Sequence, residues 1–517
     1  LEGYRVRHGF GYTVIEGQRD NIRSTVTTFV PQDALCEIWL LRLENTGDRP
    51  RALDIRTYFE WLLGAAPDWH REFHRTFIAT EYDSDLGALL ATKLLWDLPV
   101  EARAHWNRSW DYVAFHSASA MPDGFDADKR DFVGRHGDLR QPQALRDGAA
   151  HNRAGQHGDP IGSLKLSVSL EPGETKEIAF TLGAADDRAQ ASALVERFRS
   201  LDTVRAALGE TRAFWKEITG RLTIETPDPA INQLANGWLQ YQAVAGRLFG
   251  RTAYYQTGGA YGFRDQLQDS LVWLLLGLPE KTLEQIRLHA AHQYQDGVVL
   301  HWWHPLAETG LRSDYSDDLL WLPFVLLRYL EETGDFAALD QVMPFYDGGE
   351  GTLRDHCLRS FERALSRFSA RGLPLILKAD WNDGLNAVGA EGRGESVWLA
   401  HFLHYLLTRW SALGLVDGAT ASRFQAEADR LREAVNAHAW DGAWYWRATT
   451  DAGDLIGSRQ SPEGKIFLNA QTWAVLGGTA PSDRARQALA SAREHLYSDF
   501  GPLLLAPAYT TPNPDIG

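Results

Sequence analysis

Apolar positions recur along the chain with two different periods, and the change from one to the other divides it. Over residues 1–186 the period is two. Residues 35–43 alternate through Glu37, Trp39 and Leu41 and run into Glu44-Asn45-Thr46-Gly47-Asp48, a turn signal. Residues 24–30 are rich in Thr and Val, and 52–62 repeat the alternation. Leu164, Leu166, Val168 and Leu170 alternate strictly before Glu171-Pro172-Gly173, and 176–182 follow suit. Short strands punctuated by turns predict an antiparallel β-sandwich. The polar stretch 122–155 breaks the pattern and reads as a long loop; it contains Phe132-Val133-Gly134-Arg135-His136-Gly137-Asp138-Leu139-Arg140.

The period then lengthens. Ala193, Leu194, Phe198, Leu201, Val204 and Leu208 fall at helical spacing and predict a helical linker over 187–225. Beyond it, helices are predicted at 231–247, 266–276, 280–293, 317–332, 336–343, 352–368, 396–412, 419–439, 470–476 and 483–496. Their loops are alternately short and long, the long ones rich in Gly, Trp and His. The expected whole is a multidomain α and β chain: sandwich, linker, then an (α/α)6 barrel over 226–517. Six helix pairs are reached only if some lie beyond Gly517, so the barrel is expected to be incomplete at its C-terminal end. No fixed-length repeat is visible, which speaks against a regular solenoid.

Charge and composition narrow the function. A length of 517 residues allows two to four domains. The net charge is −16 and the pI near 5.5, so no global positive field exists to attract nucleic acid or an anionic membrane. A local anion site stays open. The two cysteines, Cys36 and Cys357, are far apart, which leaves no disulfide framework and no metal-ligand spacing and fits a reducing compartment. No apolar run approaches the ~18 residues of a membrane span, and no secretory leader is seen. A cytoplasmic location is therefore expected for this region. The start at Leu1 and the loop-like tail 511–517 lead us to expect a piece of something longer. Nineteen Trp beside 17 Tyr and 22 Phe suit a sugar-binding cleft, although core filling uses aromatics too.

Four stretches could carry chemistry. The most concentrated is Leu377-Lys378-Ala379-Asp380-Trp381-Asn382-Asp383-Gly384-Leu385-Asn386, where Asp, Asn and Gly force a turn between helices. Trp381 offers a face for a sugar ring, and Asp380 and Asp383 an acid and an acceptor; a helix-capping cluster over a core Trp would use the same residues. Arg251-Thr252-Ala253-Tyr254-Tyr255-Gln256-Thr257-Gly258-Gly259-Ala260-Tyr261-Gly262-Phe263-Arg264-Asp265-Gln266 puts two arginines and an aspartate in a Gly-rich connection. Arginine grips an oxyanion with two parallel bonds, and an Asp beside it accepts from hydroxyls; a surface ion pair is the plainer alternative. His301-Trp302-Trp303-His304-Pro305 suits the aromatic lining of a polar cleft, Trp303 included; its histidines lack the context of a metal site, and His289 and His292 read as structural. In Ser316-Asp317-Asp318-Leu319-Leu320-Trp321-Leu322-Pro323, helix capping alone would explain the residues, with a sugar contact as second choice. No G-x-S-x-G, P-loop or Rossmann fingerprint supports acyl transfer, NTP hydrolysis or dinucleotide binding.

Taken in order, these four stretches resemble the inverting glycoside phosphorylases of glycoside hydrolase family 94, the cellobiose and chitobiose phosphorylase family. Within it they are most similar to the phosphorylase-like C-terminal region of cyclic β-1,2-glucan synthases of the NdvB type. The resemblance covers nearly the whole chain. It implies a sandwich, a helical linker and an (α/α)6 barrel, with a jelly roll after them. It implies Asp383 as the general acid, Arg264 and Asp265 as holders of the sugar in the −1 subsite, Trp381 beside them, and Arg251 as a phosphate ligand. Trp303 and Asp380 are expected to complete the sugar site. Further phosphate ligands, a His and later a Thr-Gly pair, would lie beyond Gly517.

The implied reaction is phosphorolysis of a β-glucosidic bond, in β-1,2-glucan or a related β-glucooligosaccharide, giving α-glucose 1-phosphate. Phosphate is already anionic at neutral pH, so one carboxylic acid suffices where an inverting hydrolase needs two carboxyl groups. Asp383 must carry its proton before reaction, which calls for burial and for the neighbouring carboxylate of Asp380. No cofactor and no metal are expected; the partners are the oligosaccharide and phosphate, and a homodimer is left open. The rival readings are an inverting β-glycosidase and a carbohydrate-binding module without catalysis.

Overall fold

Alternation along β1 (Glu2–Gly9), β2 (Tyr12–Arg19), β3 (Ile22–Phe29) and β4 (Cys36–Asn45) starts an antiparallel meander. The structure, a computed structural model, describes residues 2–64, 75–94, 110–250, 259–305 and 308–517. The chain continues through β5 (Arg51–Arg56), β6 (Phe59–Glu60), β7 (Ile78–Asp83), β8 (Ala88–Lys93), β9 (Trp110–Ala118), β10 (Gly124–Asp128), β11 (Pro160–Leu170) and β12 (Thr175–Ala185). One sheet runs in the order β1-β2-β3-β4-β12-β9-β8-β7, and a smaller one β10-β11-β5, with β6 also on β11. Every ladder is antiparallel, as the period of two predicts.

The central strands of the large sheet are covered on both faces. Leu43, Leu89, Ile178 and Phe180 meet Phe125, Leu164, Leu166, Val168 and Leu170 from the smaller sheet. The opposite face buries Phe29, Ile38 and Phe115 against Val195, Phe198, Val204 and Leu208, the apolar stripe of helices Arg188–Arg197 and Leu201–Gly220. Both helices start on a side-chain cap: Asp187 accepts from the amide of Gln190 at 2.8 Å, and Ser200 from that of Thr203 at 3.3 Å.

The stretch 122–155, expected as a long loop, instead holds β10 and helices Lys129–Val133 and Gln143–Asp147. Its order is polar: buried Asp126 accepts from Arg56 at 3.1 Å and from the His151 amide at 3.0 Å. Polar residues that satisfy one another inside the fold leave no apolar period to read.

Residues 1–259 and 260–517 form two compact units. The helical stretch from Pro229 to Phe249, predicted at 231–247, belongs by its contacts to the first, and two of its segments, Leu234–Trp238 and Val244–Phe249, are wound as π-helix. The second unit is helical. Its helices include Phe263–Asp269, Leu271–Leu275, Pro279–Ala290, Trp321–Thr333, Leu353–Leu365, Val397–Ala412, Gly418–His438, Leu468–Leu476 and Ser482–Leu496, close to the predicted spans. The predicted helix 336–343 breaks into a 3-10 turn, Phe336–Asp340, and a strand, Val342–Pro344. Helix Val397–Ala412 is apolar around its circumference, burying Trp398, Phe402, Leu403, Leu406 and Trp410, as an interior helix must. Short antiparallel ladders join the helices, among them β13 (Tyr261–Gly262), β14 (Leu300–His304) and β15 (Thr309–Arg312). Among the described residues no helix is long and apolar enough to cross a membrane.

His116 tests the sandwich. It is fully buried, its Nδ1 lies 3.1 Å from the carbonyl of Thr181, and its Nε2 lies 2.8 Å from the Thr57 hydroxyl. That hydroxyl also accepts from the Leu164 amide at 2.9 Å and has a proton of its own to give to Nε2 of a neutral ring. Burial lowers the His116 pKa from 6.5 to about 4. The unfolded chain therefore binds the proton first, and the stability held above pH 6.5 is lost as pH falls towards 4. We expect roughly 3 kcal/mol of wild-type stability to disappear over this window beyond any loss in His116→Gln, measured by urea unfolding at pH 7 and pH 4. Equal losses in the two proteins would show that His116 does not titrate this way.

Candidate active site

Two sequence-remote loops are zipped together in the second unit. Tyr315 bridges both Leu377 and Ala379, and the Ser316 amide donates to the Ala379 carbonyl at 2.9 Å. Leu377 takes a positive φ of 56°, a conformation a leucine adopts only when its surroundings impose it. The pairing sets Asp317 and Asp318 against Asp380 to Asp383. Into this junction the helix Phe263–Asp269 inserts Arg264, only 5% exposed.

Arg264 collects carboxylates. Its Nη2 donates to Asp383 at 2.7 Å, and its Nη1 to Asp317 at 3.3 Å and to the main-chain carbonyl of Asp380 at 3.1 Å. Asp318 lies 3.9 Å from Nη1 and Asp265 3.8 Å from Nε. Burial disfavours the Arg264 cation, but Asp317, Asp318 and Asp383 outweigh it and raise its pKa. Asp317 is fully buried; burial raises its pKa to about 7 although Arg264 acts the other way, with Asp318 and Asp380 adding to the rise. The Trp321 indole N–H also donates to Asp317, at 2.9 Å. Asp318 accepts from the Ser313 hydroxyl at 2.5 Å and pairs with His301 at 2.8 Å. Burial opposes the His301 cation, but Asp318 prevails and its pKa is raised.

The stretch 380–383 alternates. Asp380 is fully buried: one carboxylate oxygen accepts from the Ser396 hydroxyl at 2.6 Å, the other from the Asn382 amide at 3.1 Å and from Arg447. It faces the protein, not a cleft. Trp381 is half-buried and donates to Gln268 at 3.3 Å. Asn382 accepts through its side-chain oxygen from Arg447 at 2.8 Å and from Asn469 at 2.9 Å. Asp383 is 64% exposed, so the burial expected of the acid is not found.

The structure thus brings together Arg264, Asp265, Trp381 and Asp383. Trp303 has no exposed surface: its ring stacks on His292 at 4.0 Å and meets Tyr261 edge-on at 5.8 Å. With no free face, Trp303 backs the strand leading to Arg264 and cannot carry a sugar in this arrangement. His289 and His292 are structural, each taking the carbonyl four residues before it at 2.7 Å. Arg251 lies outside the described residues.

Residues 214–517 match the catalytic domain of the glycosyl hydrolase 94 superfamily, and residues 1–201 the supersandwich domain of glycosyl hydrolase 94. The chain belongs to the glycosyl hydrolase 94 superfamily. Among curated relatives, it is 33% identical over 525 residues to a solabiose phosphorylase of Paenibacillus borealis, covering all of this chain and 65% of that protein. It is 33% identical over 510 residues to the cyclic beta-(1,2)-glucan synthase NdvB of Rhizobium meliloti (strain 1021), covering 94% of this chain and 17% of that protein. An N,N'-diacetylchitobiose phosphorylase of Vibrio furnissii is 29% identical over 555 residues, covering 99% of this chain and 66% of that one. The chain therefore spans about two thirds of the two phosphorylases and a sixth of the synthase. Of solved structures, a bacterial glucoamylase complexed with acarbose superposes with a TM-score of 0.61 at 9% identity, over 96% of this chain and 71% of that one. That likeness concerns fold alone: a sandwich followed by a helical barrel of the (α/α)6 type.

In this member of the glycosyl hydrolase 94 superfamily, the sequence reading missed Arg447, Asn469, Ser396 and Gln268. None sits in a local motif; each is brought to 380–383 by packing.

The Arg264 cluster predicts energetic coupling. Arg264→Met strands two buried carboxylates and should cost roughly 3–5 kcal/mol of unfolding free energy. Asp317→Asn in the same protein should recover about 1–3 kcal/mol relative to the sum of the two single changes. A double-mutant cycle by urea unfolding measures this; additive effects would separate the two side chains energetically.

Proposed function

We propose that the protein containing this chain phosphorolyses a β-glucosidic bond with inversion. A phosphate oxygen attacks the anomeric carbon from the α face, the bond to the leaving oxygen breaks, and Asp383 gives that oxygen its proton. The products are α-glucose 1-phosphate and the shortened acceptor. Phosphate is co-substrate, and the reading requires no cofactor. Arg264 and Asp265 hold the sugar beside Trp381, and Arg251 takes part in holding phosphate. Asp380 and Trp303 act from behind. A β-1,2-linked glucan or a related β-glucooligosaccharide is the proposed substrate. The likeness to relatives named as a cyclic glucan synthase and as phosphorylases supports this reading. We place the sandwich at 1–186, the linker at 187–225 and the barrel from 226; the family matches support a change of domain near 201–214, while by contacts the helical stretch 229–249 goes with the first unit.

One observation carries the assignment of roles. Of the carboxylates around Arg264, Asp317, Asp318 and Asp380 are fully buried, whereas Asp383 is 64% exposed and Asp265 39% exposed, so these two are the ones a ligand can reach. An inverting hydrolase would need a second open carboxylate as base, and Asp265 would have to fill that part. Phosphate dependence decides. The full-length protein, incubated with phosphate and a panel of β-linked glucobioses, should yield glucose 1-phosphate and no free glucose from the donor unit. Glucose release without phosphate would establish the glycosidase, and binding without turnover the inactive module.

The role of Asp383 has its own test. Asp383→Asn keeps size and polarity, so sugar binding should hold while phosphorolysis falls by roughly 10² to 10⁴. An aryl β-glucoside, whose leaving group needs little protonation, should show a much smaller defect. Equal losses on both substrates would make Asp383 a binding or structural residue.

A further inference from the structure

Residues 380–383 contact two different parts of the second unit in alternation. Trp381 and Asp383 meet Gln268 and Arg264, which are four apart on helix Phe263–Asp269 and so share one of its faces. Asp380 and Asn382 point elsewhere, and both meet Arg447. The Arg447 guanidinium donates to Asp380 through Nη2 and to Asn382 through Nη2 at 2.8 Å and Nε at 3.2 Å. Asn382 itself is extended (φ −90°, ψ 93°), between a bend at Asp380 and Trp381 and the 3-10 turn Asp383–Leu385. With 380 and 382 held by Arg447, 381 and 383 are left to meet helix Phe263–Asp269.

Arg447 is itself rigidly mounted. It is fully buried, with its guanidinium carbon 5.8 Å from the ring of Trp398 and 6.0 Å from that of Phe467. Its amide donates to the Ile456 carbonyl at 2.7 Å, and its carbonyl accepts from the Val397 amide at 3.1 Å. Gly457, at φ +81°, lies so close that an added Cβ would stand 2.6 Å from the Arg447 nitrogen. Ser396 completes the mounting: it caps helix Val397–Ala412, accepting from the Leu399 amide at 3.0 Å, while donating to Asp380. Asn469 adds a bond to Asn382.

We propose that Arg447 is a positioning residue, which clamps Asp380 and Asn382 and thereby aims Trp381 and Asp383 at the sugar. A buried Arg–Asp pair costs desolvation that an apolar pair would not, so stability alone gives it little reason to be here. A planar fork reaching two residues of one loop supplies geometry that neither lysine nor an apolar side chain can. The catalytic part of the proposal rests on Asp383 being the acid; the clamp itself does not.

The test has two arms on the full-length protein. In Arg447→Met, amide hydrogen exchange across 378–386 should quicken by roughly tenfold or more, while helices distant from the loop keep their protection. Unchanged exchange would overturn the clamp whatever the enzyme does. In the kinetic arm, Arg447→Met should lower kcat on a β-glucobiose by roughly 10² with little change in KM, should be far milder on an aryl β-glucoside, and should add almost nothing to Asp383→Asn. Faster exchange with a defect independent of the leaving group would keep the clamp and remove Asp383 as its beneficiary; if Asp383→Asn is equally indifferent, the assignment of the acid is what fails. Should Arg447→Met not fold, Asn469→Ala removes the bond to Asn382 and Ser396→Ala the bond to Asp380 together with a helix cap, and each should quicken exchange in the same peptide to a smaller degree. Protection unchanged in both would also overturn the proposal.

Discussion

The buried cation of Arg264 organises the second unit around its chemistry. Arg264 is taken out of water at a cost of several kcal/mol, and only carboxylates at bonding distance offset it. Asp317 and Asp383 provide those bonds, Asp318 and Asp265 lie at their edge, and the Asp380 carbonyl accepts a further N–H. The same charge arrangement fixes which carboxylates are available to a ligand. Asp317 and Asp318 are committed to the interior, where burial and then the neighbouring carboxylates raise the Asp317 pKa against the pull of Arg264. Asp383 alone reaches from the cluster into solvent with most of its side chain.

The backbone is shaped to hold this arrangement. The bridges from Tyr315 to Leu377 and Ala379 join two loops more than 60 residues apart, and a leucine is held at positive φ to allow it. Strain of about 1–3 kcal/mol persists only where the surroundings overdetermine it. Here they do: the Ser316 amide and hydroxyl both reach the Ala379 carbonyl, and Arg264 and Arg447 grip the next residues from two sides. Each bond narrows the positions left to Trp381 and Asp383.

In the first unit, the decisive constraint is a sheet whose central strands have no solvated face. One side buries Phe180 and Leu43 against the smaller sheet; the other buries Phe29 and Phe115 under two helices. This explains why helices follow directly upon β12: a wide sheet with an apolar back needs a cover, and the nearest segment of chain supplies it.

Periodicity fixed much of this in advance. Strict alternation at Leu164–Leu170 and helical spacing at 187–218 are local consequences of burying one face, so strands, helices and their order were legible residue by residue. Arg264, Asp265, Trp381 and Asp383 were legible too, because turn-forming and chemically rich residues crowd into short stretches of sequence. Burial of polar groups was not. Nothing local separates Asp380, fully buried, from Asp383, mostly exposed, three residues on; the difference is made by Ser396 and Arg447, which packing delivers from 16 and 67 positions away. Trp303 shows the same limit: its type suits a sugar platform, yet His292 and Tyr261 close over its ring. Sequence thus determined the elements and the residue types at the site, since both follow from neighbours along the chain. Which carboxylate stays open, and which arginine holds the loop, depend on partners distant in sequence, and only the tertiary structure brought them together.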